Sequence, residues 1–243
     1  MRQEALEERL REAIHQYWQT RQTQQDRQVA SGKADAGSRG AVTGGAQMLA
    51  FEQLLVNLSV ESGVPSEDIH RRAAINLPGY YRPEKEWDLL VVSRGQLVAA
   101  IELKSQAGPS FGNNFNNRVE EAVGNATDFW TAYREGRFGA GPRPFLGYFF
   151  LLEDCDKVRR PVRNEEPHFP VDPVFANASY SQRYEIFCHR LVYERLYDSV
   201  CLTLATKPTM YSATRISHPA GDLTFYRFVA TLQGHITTWL RSQ

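Results

Sequence analysis

Three charged residues interrupt two apolar runs. Asp88 precedes Leu89-Leu90-Val91-Val92, and Glu102 and Lys104 close Leu97-Val98-Ala99-Ala100-Ile101. Charged groups are seldom buried unless they are paired or bind a metal. Two close carboxylates repel, and a hard divalent cation resolves the repulsion. Mg2+ takes one or two carboxylates together with waters and phosphate oxygens. A lysine beside them can orient water and offset developing negative charge. This set suits metal-assisted hydrolysis of a phosphodiester. Water attacks phosphorus in line, while the cation polarises the phosphoryl oxygen and stabilises the attacking and leaving oxygens. The main-chain carbonyl of Leu103, between the two side chains, is a further candidate ligand.

The element that must position these residues is a β-hairpin over 86–104, turning at Arg94-Gly95. Glu102 and Lys104 are two apart on a strand and so share a face. Asp88 and Glu102 are equidistant from Gly95. Symmetric pairing about that residue would set them opposite each other, with Cα atoms about 4.5–5.5 Å apart. A bare two-residue turn would instead put them on opposite faces. The shared face therefore requires an odd-length loop or a bulge.

Helices flank the hairpin. Leu6, Leu10, Ala13, Ile14, Tyr17 and Trp18 predict an amphipathic helix over about 3–24. A second helix is expected over about 46–62, closed by Gly63-Val64-Pro65. Glu52 falls on or beside its apolar stripe, and two readings stay open: a carboxylate aimed at the active site, or an edge residue reaching water. Residues 69–77 form a weakly patterned first strand. Asn113-Asn114-Phe115-Asn116-Asn117 leads into a helix over about 117–135, and one of these asparagines could cap it. Residues 145–152 are continuously apolar, as in a buried strand. Residues 153–178 are Pro-rich and irregular, with a basic knot at Lys157, Arg159, Arg160 and Arg163 that could hold phosphates or form an exposed loop. Helices are expected over about 180–198, with a possible continuation to 205, and over about 223–241. The order predicts an α/β fold, a mixed sheet flanked by helices. One domain is expected, with its core over about 46–152, an N-terminal helix and Gly-rich loop over 1–45, and an irregular and helical part over 153–243.

Composition narrows the classes. The 243 residues are 42% hydrophobic, with 28 basic and 28 acidic side chains, so a nucleic-acid ligand needs local basic patches. Cys155, Cys188 and Cys201 form no CxxC pair, which suits a reducing cytoplasm and argues against a zinc cluster. The first residues are charged, and no run reaches the length of a membrane span, so a soluble cytoplasmic protein is expected. The six histidines show no HExxH spacing, and there is no GxSxG elbow or GxGxxG fingerprint. The Gly-rich stretch carrying Lys33 and Arg39 is not a P-loop, because no Gly-Lys-Ser/Thr opens the next helix. Its glycines permit close approach to another chain, and a loop that tracks phosphates and a flexible linker both fit.

The Asp, then Glu-x-Lys, pattern of Asp88 and Glu102-Leu103-Lys104 resembles the PD-(D/E)XK nuclease signature, with Trp87 where that signature has proline. Longer stretches resemble the XhoI family of type II restriction endonucleases. They are Ser31-Gly32-Lys33-Ala34-Asp35-Ala36-Gly37-Ser38-Arg39-Gly40-Ala41-Val42-Thr43-Gly44-Gly45-Ala46-Gln47-Met48, Ala100-Ile101-Glu102-Leu103-Lys104-Ser105-Gln106 and Asn113-Asn114-Phe115-Asn116-Asn117-Arg118-Val119-Glu120-Glu121-Ala122. The resemblance implies a restriction-endonuclease-like core and a homodimer that cuts double-stranded DNA at a palindrome. Mg2+ is the implied cofactor, with Mn2+ as a substitute. For the family's namesake the site is CTCGAG, cut to leave 5′ overhangs. Carried over, Asp88 and Glu102 become metal ligands and Lys104 the water-positioning base, with Glu52 as an additional acidic residue. Lys33, Arg39, Asn113, Asn114, Asn116, Asn117 and Arg118 become candidates for DNA contact, since Asn can pair with adenine and Arg with guanine. A structure-selective or repair nuclease, or a catalytically silent DNA-binding module, are the alternatives on the same fold.

Overall fold

The computed structural model describes residues 3–30 and 45–242. Lys33 and Arg39 lie outside the described residues, as does the rest of the Gly-rich stretch over 31–44.

The first helix, α1 (Gln3–Ala30), is longer than its apolar stripe and buries Leu6, Leu10, Ile14, Tyr17 and Trp18. A 3-10 turn at Ala46–Met48 leads into α2 (Leu49–Glu61), which buries Phe51, Leu54, Leu55 and Leu58. The expected first strand over 69–77 divides in two. Its start is β1 (Ile69–His70), and its end is β2 (Asn76–Pro78). A further strand, β3 (Glu84–Glu86), pairs with β2 in a separate two-stranded sheet. The hairpin is β4 (Leu89–Ser93) and β5 (Gln96–Gln106).

Next come α3 (Phe111–Arg134), β6 (Phe145–Glu153) and a short helix, α4 (Asp156–Arg159), inside the segment expected to be irregular. The helix α5 (Tyr180–Tyr193) stops well before residue 205. Arg195 adopts a left-handed φ of 56° just beyond it, which reverses the chain. Residues expected to prolong that helix are instead β7 (Ser199–Ala205), buried at every position. A strand buried on both faces has no polar alternation, so its pattern is indistinguishable from that of a buried helix. The strand β8 (Ile216–Ser217) and the helix α6 (Phe225–Arg241) complete the chain.

The main sheet has the order β1-β4-β5-β6-β7-β8. Its centre, β5-β6-β7, is parallel, and β1, β4 and β8 attach antiparallel. One face packs on α1, α2 and α6 through residues such as Leu10, Leu55, Ile101, Phe149 and Phe228. The other packs on α3 and α5 through Ala100, Phe150, Phe129, Tyr184 and Leu191. The result is a mixed sheet between two helical layers, the expected α/β class and consistent with a restriction-endonuclease-like core.

Candidate active site

The hairpin turn is the two-residue connection Arg94-Gly95, with φ of 52° and 73°. Positive φ at both positions is the backbone of a type I′ turn, and glycine reaches it without a steric penalty. Such a turn alone would set Asp88 and Glu102 on opposite faces. A bulge corrects this. Val92 pairs with Leu97 while Val91 pairs with Ala99, which leaves Val98 as the extra residue. Val98 and Ala99 accordingly both pack on the α1/α2/α6 side, whereas Leu97 and Ala100 face α3 and α5. Beyond the bulge the register runs Leu90 to Ala100 and Leu89 to Ile101, so its next step sets Asp88 against Glu102.

Asp88 turns its Oδ2 to the Leu103 N–H at 2.7 Å. Lys104 Nζ lies 3.9 Å from the same oxygen and pairs closely with Glu102 Oε1. Glu102 is 1% exposed. Burial by itself would raise its carboxyl, but the ammonium groups of Lys104 and Lys85 outweigh that and hold it below the ordinary range. For Asp88 the balance goes the other way. Desolvation and then the charge of Glu102 push it up, against the pull of Lys104 and the Leu103 N–H. Desolvation would lower Lys104, but Glu102 and Asp88 raise it, so it stays an ammonium at neutral pH.

Lys85 is a member of this centre that sequence reasoning missed. It arrives on β3 and places Nζ 2.6 Å from Glu102 Oε2. No signal marked it. Its strand pairs with β2, through Leu77 opposite Lys85, and so belongs to a different sheet from the hairpin. The small sheet is fixed at both ends. Trp87 N–H donates to Ile75 carbonyl at 2.9 Å, and Trp87 packs edge-on against Phe129 of α3. At the tip, Asp128 of α3 accepts the N–H groups of Tyr80 and Tyr81 at 2.7 and 2.9 Å and the Arg82 guanidinium at 2.8 Å.

Glu52 does not reach water. It is 7% exposed, and its Oε2 has no hydrogen-bond partner among the described residues. Desolvation and then the charge of Asp88 raise its carboxyl, so it stands within the electrostatic reach of the centre.

Asp88 and Glu102 offer hard carboxylate oxygens close enough to repel, and such donors fit Mg2+ or Mn2+. The mutual repulsion that lifts Asp88 is what a cation would relieve. Among the described residues no group of three or more His, Cys, Asp or Glu side chains could hold a metal ion. Waters or substrate oxygens would have to complete the shell.

A family model described as restriction endonuclease XhoI matches residues 27–215 of the chain. The chain belongs to the XhoI restriction endonuclease family. It is 50% identical over 214 residues to the type II restriction enzyme BstVI of Geobacillus stearothermophilus, covering 86% of this chain and 95% of that protein. It is 46% identical over 181 residues to the type II restriction enzyme XhoI of Xanthomonas vasicola, covering 74% and 72% respectively. The type II restriction enzyme AbrI of Azospirillum brasilense is 47% identical over 164 residues. No solved structure matches the chain. Type II restriction enzymes are site-specific endodeoxyribonucleases, so this XhoI-family chain is an enzyme that acts on DNA.

In this family member the asparagines do not cap a helix. The helix α3 starts at Phe111, earlier than expected, and its N-cap Ser110 makes no side-chain bond. Asn113, Asn116 and Asn117 are exposed in its first turns, Asn114 is half-buried, and Arg118 pairs with Glu121 at 2.6 Å. Asn113 shares an open trough of about 600 Å³ with Ser110, Lys157, Arg160, Arg163 and Tyr180. The basic knot therefore sits beside the start of α3. Arg159 is neutralised by Asp154, but Lys157 and Arg163 have no ion pair among the described residues. The site strand and α3 are joined by the buried Gln106. Its Nε2 donates to the carbonyls of Ser110 and Phe111, each at 3.2 Å, and its Oε1 accepts from the Tyr184 hydroxyl of α5.

Proposed function

We propose that this chain hydrolyses both strands of double-stranded DNA at a short palindrome in a Mg2+-dependent reaction. CTCGAG, cut to leave 5′ overhangs, is the site its likeness to the XhoI enzyme suggests. The observation that carries the catalytic assignment is the convergence of Asp88 and Glu102 on Lys104, whose Nζ lies 3.9 Å from Asp88 Oδ2 and pairs closely with Glu102 Oε1. Asp88, Glu102 and the Leu103 carbonyl would hold the cation. When bound, Mg2+ would neutralise the paired carboxylates and polarise the phosphoryl oxygen.

The chain's own groups supply the rest. The Leu103 N–H fixes one Asp88 oxygen and so orients the carboxylate. Glu102 and Asp88 hold Lys104 as an ammonium between them. From there it donates to the attacking water and offsets charge developing on phosphorus. It positions that water as a cation rather than as a proton acceptor. Glu52 adds negative charge at the edge of the centre. The exposed asparagines of α3 read bases, the neighbouring knot holds phosphates, and Lys33 and Arg39 contact DNA.

A palindrome cut on both strands implies a two-fold homodimer. The reading takes the chain as one nuclease domain working in the cytoplasm; no helix among the described residues is long and apolar enough to cross a membrane. Digesting plasmid with Mg2+ and sequencing the ends tests the reading. Discrete fragments ending at one palindrome are expected. Lys104→Ala should lower cleavage by about 10²-fold or more and leave DNA binding intact. A smear, or full activity in that variant, would count against the proposal.

A further inference from the structure

Lys85 touches the centre but has no part in the chemistry above. Its side chain is 12% exposed, so burying the charge demands compensation. Three partners supply it. Nζ lies 2.6 Å from Glu102 Oε2, donates to the Glu86 carbonyl at 2.8 Å, and stands 4.4 Å from the Trp87 ring centroid. An ion pair, one hydrogen bond and a cation–π contact thus engage the ammonium.

Charge gives Lys85 a task. Asp88 and Glu102 face Lys85 and Lys104, two negative groups against two positive. Both Glu102 oxygens are already held by ammonium groups, one from each lysine. A divalent cation entering between the carboxylates would meet two ammonium groups that offset their charge, and Glu102 could offer Oε2 only if Lys85 let it go.

We propose that Lys85 is the built-in counter-cation of the metal-free centre, a positioning residue that holds Glu102 Oε2 until a divalent cation replaces it. The inference rests on the metal-site reading of Asp88 and Glu102. Lys85 keeps a buried carboxylate paired and pointed in the absence of metal, and it lowers the intrinsic affinity for metal. DNA, which brings its own phosphate oxygens, then finds the carboxylates already in place.

The test is calorimetric titration of Mn2+ into the DNA-free protein, with thermal melting in EDTA beside it. Lys85→Met should bind Mn2+ at least about tenfold more tightly, because a unit positive charge within a few ångströms of the dication has gone. It should also melt lower than the parent in EDTA and recover on adding Mn2+. Lys85→Arg keeps the charge and should bind like the parent, which separates charge from packing. Lys85→Gln replaces Lys85→Met if the latter does not fold. Mn2+ binding by the neutral variant that is unchanged or weaker overturns the proposal. Asp88→Asn run in parallel separates the two ideas. If it binds Mn2+ like the parent, the metal site itself is misassigned. If it loses binding while neutral substitution of Lys85 has no effect, only the role of Lys85 fails.

Discussion

At the scale of single residues, the centre is organised by which charges have partners. Glu102 is buried deepest and has two cations; Asp88 keeps 33% of its side-chain surface and has only a distant one. The same logic operates at Asp128, which anchors the loop leading into β3. Burial would raise its carboxyl, but the N–H groups of Tyr81 and Tyr80 and the Arg82 guanidinium hold it below the ordinary range. A depressed carboxylate stabilises the fold above its unfolded pKa and loses that contribution as pH falls through the lower, folded value. Asp128→Asn should therefore cost about 1–3 kcal/mol near neutral pH, as expected for weakening hydrogen bonds to a buried charged acceptor. The gap between parent and variant should close in acid below the carboxylate's ordinary range. Denaturant unfolding at a series of pH values would measure it, and a gap that does not shrink in acid would count against the clamp.

At the scale of elements, the hairpin could be read in advance and its surroundings only in part. Two apolar runs about an Arg-Gly turn named β4 and β5, and the spacing of Asp88 and Glu102 about Gly95 demanded either an odd loop or a bulge. The bulge at Val98 has no sequence signature, since Leu97-Val98-Ala99-Ala100 is apolar throughout, so only the choice between the two devices was hidden. Lys85 was illegible for a different reason. Its proximity to Glu102 depends on a non-local pairing of two three-residue strands. The strand β7 was hidden because complete burial erases alternation, and the early start of α3 because asparagines suggest a cap even when they lie inside a helix. The bulge makes its own prediction. Deleting Val98 should regularise the ladder and leave Asp88 on the same side as Glu102, because Leu97 and Ala99 already face opposite layers. Cleavage should survive in a variant whose circular dichroism matches the parent. Loss of cleavage from a folded variant would show that the local bend of the bulge, and not register alone, positions the carboxylates.

At the scale of the whole molecule, a net charge of zero conceals local excess. The trough beside α3 gathers Lys157, Arg160 and Arg163, and Arg160 has only a loose partner, Asp156 at 3.8 Å. If these groups hold phosphates, each releases counterions on binding. Replacing Lys157 and Arg163 by alanine should then flatten the dependence of log K on log salt by about 0.9 per lost contact, for specific and random DNA alike. An unchanged slope in equilibrium titrations over a range of salt would remove the trough from the DNA face.

The staple made by Gln106 has a mechanical consequence. It bonds the first turn of α3 to the end of β5, two residues beyond Lys104, and ties both to Tyr184. Strand end and helix start thus behave as one stiff lever. If α3 meets DNA as proposed, a helix that settled badly against an unsuitable stretch could not absorb the misfit by itself. It would carry Lys104 with it, so an error in fit would become a displacement at the proposed catalytic centre.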